Sequence, residues 1–417
     1  MDYFNYRENQ LFAEDVAVLD IAKKVGTPFY LYSKATFIRH YQVMDKSLAL
    51  PKKIICFAMK SNGNLAVLKL LGEEGAGVDV VSQGEIFKAL KAGIAADKIV
   101  FSGVGKTKEE ISYGIEKGIF QFNAESLEEI ESINEVAFSK DHQAKIAIRI
   151  NPDVGAGGND KISTGKKGDK FGIDIDLAEN AIKQANLLSN IDFQGISVHI
   201  GSQITNLDAF AKAFRRVFQF VTELEKKGIT INTIDLGGGL GVPYDDDTIV
   251  PPSKYGELIT DMVKEFHFEH KKFIFEPGRV ISANAGILIS TVTLVKKTEE
   301  KEFVIADVAM NDLMRPALYE AIHQFIPVVK TGDTNKKYDF VGPVCETTDV
   351  FIKGLKFQEL KSGDLFAIRS CGAYGAVMSC EYNGRPLIPE VLVDGDEFKV
   401  VRRRPSYEEM LHLEENL

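Results

Sequence analysis

Four cysteines in 417 residues, at positions 56, 345, 371 and 380, leave no C-x-x-C pair. That excludes a zinc ribbon and a dithiol redox motif. Nor is there an apolar stretch approaching the length of a membrane span. The start, Met1-Asp2-Tyr3, is acidic and polar, which predicts no secretory signal peptide. Positive charge is outnumbered as well: the net charge is −10, and no Lys- or Arg-rich block exceeds a few residues. A general affinity for nucleic acid or an anionic membrane is therefore not expected. The triplet Arg402-Arg403-Arg404 is followed by acidic residues and reads as structural. Repeats and low-complexity linkers are missing too. What remains is a chain 45% hydrophobic and 26% charged, enough for an ample core and two domains, expected in the cytoplasm with reduced thiols.

The core of the reading is a rhythm. After a short helical pattern around Val16 to Val25 and an alternating segment at Phe29–Tyr32, short apolar runs alternate with amphipathic stretches such as 64–74 and 84–93. The runs predict strands at 54–58, 78–81, 99–102, 121–123, 146–150, 196–200, 233–236 and 273–275. Eight strand–helix units in roughly 250 residues predict a (β/α)8 TIM barrel. A doubly wound sheet would carry five or six strands and a G-x-G-x-x-G after the first, which is missing here. From about residue 285 the period falls to two, at 286–294, 302–308, 338–341, 365–368 and 397–401, with helical sequence only around 316–323. This predicts an antiparallel β-domain, discontinuous if Phe29–Tyr32 pairs with it. The expected division is 35–284 for the barrel and 1–34 plus 285–417 for the β-domain.

Barrel chemistry sits at the carboxyl ends of the strands. Here the first strand runs into Lys60, the second ends at Asp79 to Ser82, and the fifth ends in Arg149-Ile150-Asn151-Pro152. The sixth runs into His199-Ile200-Gly201-Ser202-Gln203. The seventh meets Asp235-Leu236-Gly237-Gly238-Gly239, and the eighth Glu276-Pro277-Gly278-Arg279. Lys60 is either a snorkelling surface residue or a reactive amine in a partly dry site. Gly237–Gly239 is either a tight turn or a backbone cradle for phosphate, with Arg279 adding a cation. His199 reads as a core histidine or a face for a bound ring, and Glu276 as a turn residue or the partner of a protonated ring nitrogen. Lysine, phosphate cradle and acid together point to pyridoxal 5'-phosphate.

On these residues the sequence resembles the pyridoxal-phosphate-dependent decarboxylases built on an alanine-racemase-like barrel (fold type III), and within them the diaminopimelate decarboxylases. The likeness runs along nearly the whole chain. It includes Gly26-Thr27-Pro28, Phe57-Ala58-Met59-Lys60-Ser61-Asn62, Val198-His199-Ile200-Gly201-Ser202-Gln203 and Gly342-Pro343-Val344-Cys345-Glu346. It ends with Gly372-Ala373-Tyr374-Gly375.

The resemblance implies decarboxylation of meso-2,6-diaminopimelate to L-lysine. Lys60 would carry the cofactor covalently and yield it to the substrate's α-amine. Glu276 would face the ring nitrogen and His199 the ring. The glycines, Ser202 and the loop Glu276, Pro277, Gly278, Arg279 would hold the phosphate, with Asp79 and Tyr374 also at the cofactor. Cys345 would act as the acid, its alternative being a buried inert thiol. An obligate homodimer follows from the resemblance, with the Cys345-Glu346 segment completing the partner's site.

A distal carboxylate wants a guanidinium, which Arg279 and Arg315 would supply. Glu346 would take the distal ammonium, and Tyr319 and Tyr374 would add hydroxyls. The alternative for Arg315 is a structural ion pair with a nearby acid. The stretch Ile162-Ser163-Thr164-Gly165 to Lys170-Phe171-Gly172-Ile173 is similar to the family's substrate-recognition insert, with Asn159 standing where many members have histidine. Decarboxylases of ornithine, arginine or carboxynorspermidine are the near rivals. Their substrates lack the distal carboxylate, so paired arginines argue against them. A non-catalytic regulatory homologue would be expected to have lost Lys60 or Cys345.

Overall fold

The computed structural model describes residues 2–154, 170–244 and 249–414. Asn159 and the Ile162–Gly165 stretch lie outside them. The chain divides into two compact units: Met1–Arg39, Pro243–Asp247 and Ser282–Leu417 form one, and His40–Val242 with Thr248–Ile281 the other.

The second of these is a closed parallel barrel. Its strands are Lys53–Ala58, Gly77–Val80, Ile99–Phe101, Gln121–Ala124, Ala144–Asn151, Ile191–Ser197, Thr233–Asp235 and Lys272–Phe275. Each pairs in parallel with the next, and Lys272–Phe275 closes the ring on Lys53–Ala58 through Ile274 opposite Ile54. All eight predicted strands are present, within a few residues of their expected bounds. The apolar runs are continuous because both faces are covered, one by the barrel interior and one by the helices.

Side-chain caps start the helices where the sequence changes period. Asn64, Ser82 and Ser126 accept the N–H of the second or third helical residue, and Thr107 with Glu110 forms a capping box. Helix Leu207–Lys226 shows what drives these helices onto the barrel. Phe210, Ala213, Phe214, Val217, Phe218 and Val221 recur at three- and four-residue steps and are all buried.

The other unit is built on a nine-stranded sheet. In spatial order its main path is Val350–Phe357, Lys336–Val341, Glu302–Ala306, Gly286–Lys297, Phe29–Ser33, Glu390–Asp394 and Glu397–Arg402. Leu365–Ile368 and Phe325–Pro327 branch from Gly286–Lys297. Most pairs are antiparallel, as the period-2 pattern predicts. Two are parallel: Glu302–Ala306 with Lys336–Val341, and Phe29–Ser33 with Glu390–Asp394. The N-terminal segment does pair with Gly286–Lys297, Leu31 opposite Ile287. Its apolar face packs Phe29 and Leu31 against Ile287, Ile289, Val391 and Val393.

The arginine triplet is structural. Arg402 pairs with Glu390 at 3.1 Å, Arg403 bonds Glu409, and Arg404 donates to the Thr27 and Pro28 carbonyls at 3.2 and 3.0 Å. Among the described residues, no helix is long and apolar enough to cross a membrane.

Candidate active site

The strand ends of the barrel gather a buried acidic cluster. Lys60 sits in a single 3₁₀ turn, Met59–Ser61, directly after the first strand, and its Nζ bonds Asp79 Oδ2 on the second. Asp79 is fully buried. On the other side of the first strand, at the ends of the eighth and seventh, stand Glu276 and Asp235, also buried. Burial foremost, then the negative charges of Asp235 and Asp79, pushes the Glu276 carboxyl well above the usual carboxylate range, and Lys60 opposes this. Asp235 is raised by burial as well, against hydrogen bonds that favour its charge. One of these is the Gly237 N–H, which donates to Asp235 Oδ1 at 2.9 Å.

Asn123, at the end of the fourth strand, ties the cluster together. Its Nδ2 lies 3.0 Å from Asp235 Oδ2, 3.3 Å from Glu276 Oε1 and 3.0 Å from Ser102 Oγ. Ser102 passes a hydrogen of its own to Glu276 Oε1 at 3.2 Å. The Gln121 amide donates to Asn123 Oδ1 at 2.9 Å, which fixes which end of the Asn123 amide carries the hydrogens. Asn123, Ser102 and Asp235 went unassigned in the sequence. Their only signal there is a polar residue at an apolar strand's carboxyl end.

His199 lies two residues beyond the sixth strand. Gly238 N–H donates to its Nδ1 at 3.3 Å, so that nitrogen accepts and the imidazole is neutral. Burial, reinforced by the cations Arg149 and Lys60, pulls its pKa well below the usual histidine value, which agrees.

The three glycines are required by close packing between the loops. A Cβ on Gly237 (φ +63°) would stand 2.4 Å from the Val198 carbonyl, one on Gly238 2.2 Å from the Glu276 carbonyl, and one on Gly239 2.4 Å from the Gly201 carbonyl. The turn reading is thus satisfied, and the cradle reading takes one correction. The Gly237 amide is committed to Asp235 and the Gly238 amide to His199 Nδ1, so of the three an anion would meet the Gly239 amide. Beside them Arg279 Nη2 donates to Ser202 Oγ at 3.1 Å. Pro277 accepts the Ala58 N–H at 3.1 Å, locking the eighth loop to the first strand.

The remaining predicted residues belong to the other unit. Arg315 opens the short helix Arg315–Tyr319 and is buried. Its described contacts differ from the acid pairing weighed above: Nη1 is 2.8 Å from His323 Nε2 and the guanidinium lies 4.3 Å from the Tyr244 ring centroid. Tyr319 ends the same helix. Cys345 and Glu346 are exposed in the loop after Lys336–Val341, where Asn383 Oδ1 accepts the Cys345 N–H at 2.9 Å. The thiol is therefore not the buried, inert one. Tyr374 adopts φ +54° in a turn after Leu365–Ile368.

The cluster suits pyridoxal 5'-phosphate. Three buried carboxylates around one lysine are short of positive charge, which a protonated ring nitrogen supplies, and the Arg279 guanidinium with the Ser202 hydroxyl suits a phosphate. Fold and site define a barrel enzyme of the pyridoxal-dependent decarboxylase class. The family described as "Pyridoxal-dependent decarboxylase, pyridoxal binding domain" matches residues 34–283.

Curated relatives named diaminopimelate decarboxylase include that of Haemophilus influenzae, 44% identical over all of both chains, and that of Vibrio cholerae, 46% identical over 99% of each. Among solved structures, diaminopimelate decarboxylase of M. jannaschii in complex with L-lysine superposes with a TM-score of 0.94 at 36% identity, covering 98% of this chain and 97% of that one. The chain belongs to the diaminopimelate decarboxylase family.

Proposed function

We propose that this protein decarboxylates meso-2,6-diaminopimelate to L-lysine and CO2, the last step of lysine biosynthesis, in the cytoplasm. The observation that carries the chemistry is the Lys60–Asp79–Asp235–Glu276 cluster beside the Gly238–Gly239 backbone. Pyridoxal 5'-phosphate supplies, when bound, the electron sink for the pair left behind as CO2 departs. Lys60 would be the amine that holds it covalently, and Glu276 would partner its ring nitrogen, with Asp79 also at the cofactor. His199, neutral through the Gly238 hydrogen bond, offers an uncharged ring face. Gly239, Ser202, Gly278, Arg279 and Tyr374 would hold the phosphate, while Gly237, Gly238 and Pro277 shape the loops that present them.

Arg315 and Arg279 grip the distal carboxylate, Glu346 takes the distal ammonium, and Tyr319 and Tyr374 add hydroxyls. Cys345 Sγ returns a proton to the α-carbon. The exposure of Cys345 and Glu346 supports a homodimer in which this loop serves the partner's site.

The test is CO2 release by the cofactor-loaded protein from meso-diaminopimelate, with ornithine, arginine and carboxynorspermidine in parallel. Lysine formed from diaminopimelate alone is the expected result, and release from a diamine precursor alone overturns the substrate assignment. Mixing inactive Lys60→Ala and Cys345→Ala proteins restores activity if the site is shared between subunits, and leaves the mixture inactive if it is not.

A further inference from the structure

His323 has no part in the chemistry above, yet its two ring nitrogens are fully specified. It is buried, with Nε2 2.8 Å from Arg315 Nη1 and Nδ1 2.8 Å from the Arg369 carbonyl oxygen. A guanidinium has donors only, so Nε2 must accept. A carbonyl oxygen only accepts, so Nδ1 must carry the hydrogen. The imidazole is therefore a neutral ring of one fixed tautomer, its lone pair aimed at Arg315.

The surroundings hold that ring in place. The Tyr244 ring meets it edge-on, centroids 5.2 Å apart and planes at 76°, and stacks under the Arg315 guanidinium. Cys371 Sγ stands 3.8 Å from Nδ1, and burial pushes that thiol's pKa far up, so it stays uncharged. The Arg369 side chain turns away to pair with Asp2 at 2.5 Å.

We propose that His323 is a positioning residue for substrate specificity: its Nε2 holds Arg315 in the orientation in which the guanidinium grips the substrate's distal carboxylate. This rests on the substrate role given to Arg315 above. A carboxylate in His323's place would also orient the arginine, but it would compete with the incoming carboxylate for the same N–H groups. A neutral acceptor orients the guanidinium and leaves its charge intact. Histidine does this with one nitrogen while the other anchors the ring to the backbone.

The experiment compares His323→Phe, His323→Gln and His323→Asn in the cofactor-loaded protein. A hydrogen bond to a charged group predicts a roughly 10- to 100-fold rise in KM for meso-diaminopimelate in His323→Phe, with kcat within about threefold of wild type. L-Lysine, which keeps the distal carboxylate, loses affinity by the same factor in calorimetry. Glutamine places a carboxamide oxygen near Nε2 and restores most of the loss; asparagine, which reaches only the Nδ1 position, does not. Should the phenylalanine variant fail to fold, the glutamine–asparagine contrast decides alone.

In an Arg315→Gln background His323→Phe adds less than about twofold, because the two residues act as one unit. Unchanged KM and lysine affinity in His323→Phe, an unaltered asparagine variant, or full additivity with Arg315→Gln overturns the proposal. If Arg315→Gln raises KM while His323→Phe does not, the positioning role falls and the substrate role of Arg315 stands. If Arg315→Gln itself leaves KM unchanged, it is the substrate role that falls.

Discussion

Two glutamates at the mouth of the barrel, Glu125 and Glu276, are almost equally buried, at 5% and 7% exposure, and their surroundings are opposite. Glu125 follows the fourth strand. Its carboxylate accepts from Arg149 Nη1 and from the backbone N–H groups of Gly103 and Gly172, each at 2.9 Å. One side chain thereby joins the loops after the third, fourth and fifth strands, with its charge matched by an arginine. Glu276 follows the eighth strand and accepts from the neutral donors Ser102 and Asn123, with Asp235 and Asp79 facing it. A structural carboxylate is surrounded by what it needs. The other faces two acids and is opposed by Lys60, which is itself bonded to Asp79, a mark of a functional group.

Substitution breaks this contrast in order of size. Glu125→Gln removes one partner of a buried ion pair and leaves Arg149 uncompensated. Stability to denaturant falls by about 3–5 kcal/mol. Glu276→Gln leaves the apoprotein folded at wild-type stability or above it, because a repelled charge is removed. In the loaded enzyme it lowers kcat about a hundredfold, near 3 kcal/mol, and weakens cofactor retention on dialysis. Asn123→Ala, which takes a donor from both Asp235 and Glu276, falls between structure and chemistry. About a tenfold loss in kcat/KM is expected, with a destabilisation near 1–2 kcal/mol read from the same titrations.

The smallest effect is a slope with pH. The folded apoprotein holds Glu276 above its ordinary value of 4.5, so the proton-linked part of its stability is complete below that value. It is lost as pH rises through the raised one. The Tm of the apoprotein therefore declines from mildly acidic toward neutral pH, and Glu276→Gln flattens the decline. A slope that is unchanged in the variant would assign it to other groups.

The barrel was legible because its strands are uninterrupted apolar runs, and because lysine, histidine and glycines at their ends stand out against that background. Lys60 lies at the end of the first strand, where the apolar run stops. What could not be read was who faces whom across the ring. Asn123 and Glu276 are 153 residues apart and meet because the fourth and eighth strands both point into the same interior. No local pattern encodes that meeting.

In the second unit, Val350–Phe357 escaped detection because Lys353, Gly354 and Lys356 break the alternation. Gly354, at φ +66°, falls where the pairing register with Lys336–Val341 shifts. Glu390–Asp394 was missed because Val391-Leu392-Val393 runs without alternation. Arg315's setting was also invisible, since an aromatic face and an imidazole acceptor leave no charge signature.

The placement of Phe29–Ser33 has a bearing on how the chain reaches its native state. That strand is flanked by Gly286–Lys297 on one side and Glu390–Asp394 on the other, and the Tyr32 hydroxyl donates to Glu390 across 358 residues of sequence. On the ribosome, the barrel's strands emerge consecutively and can assemble as they appear. The Phe29–Ser33 strand must wait, unpaired on its second edge, until residues 390–394 have been made. Nascent chains stopped short of residue 390 should therefore hold a protease-resistant barrel beside a labile N-terminus.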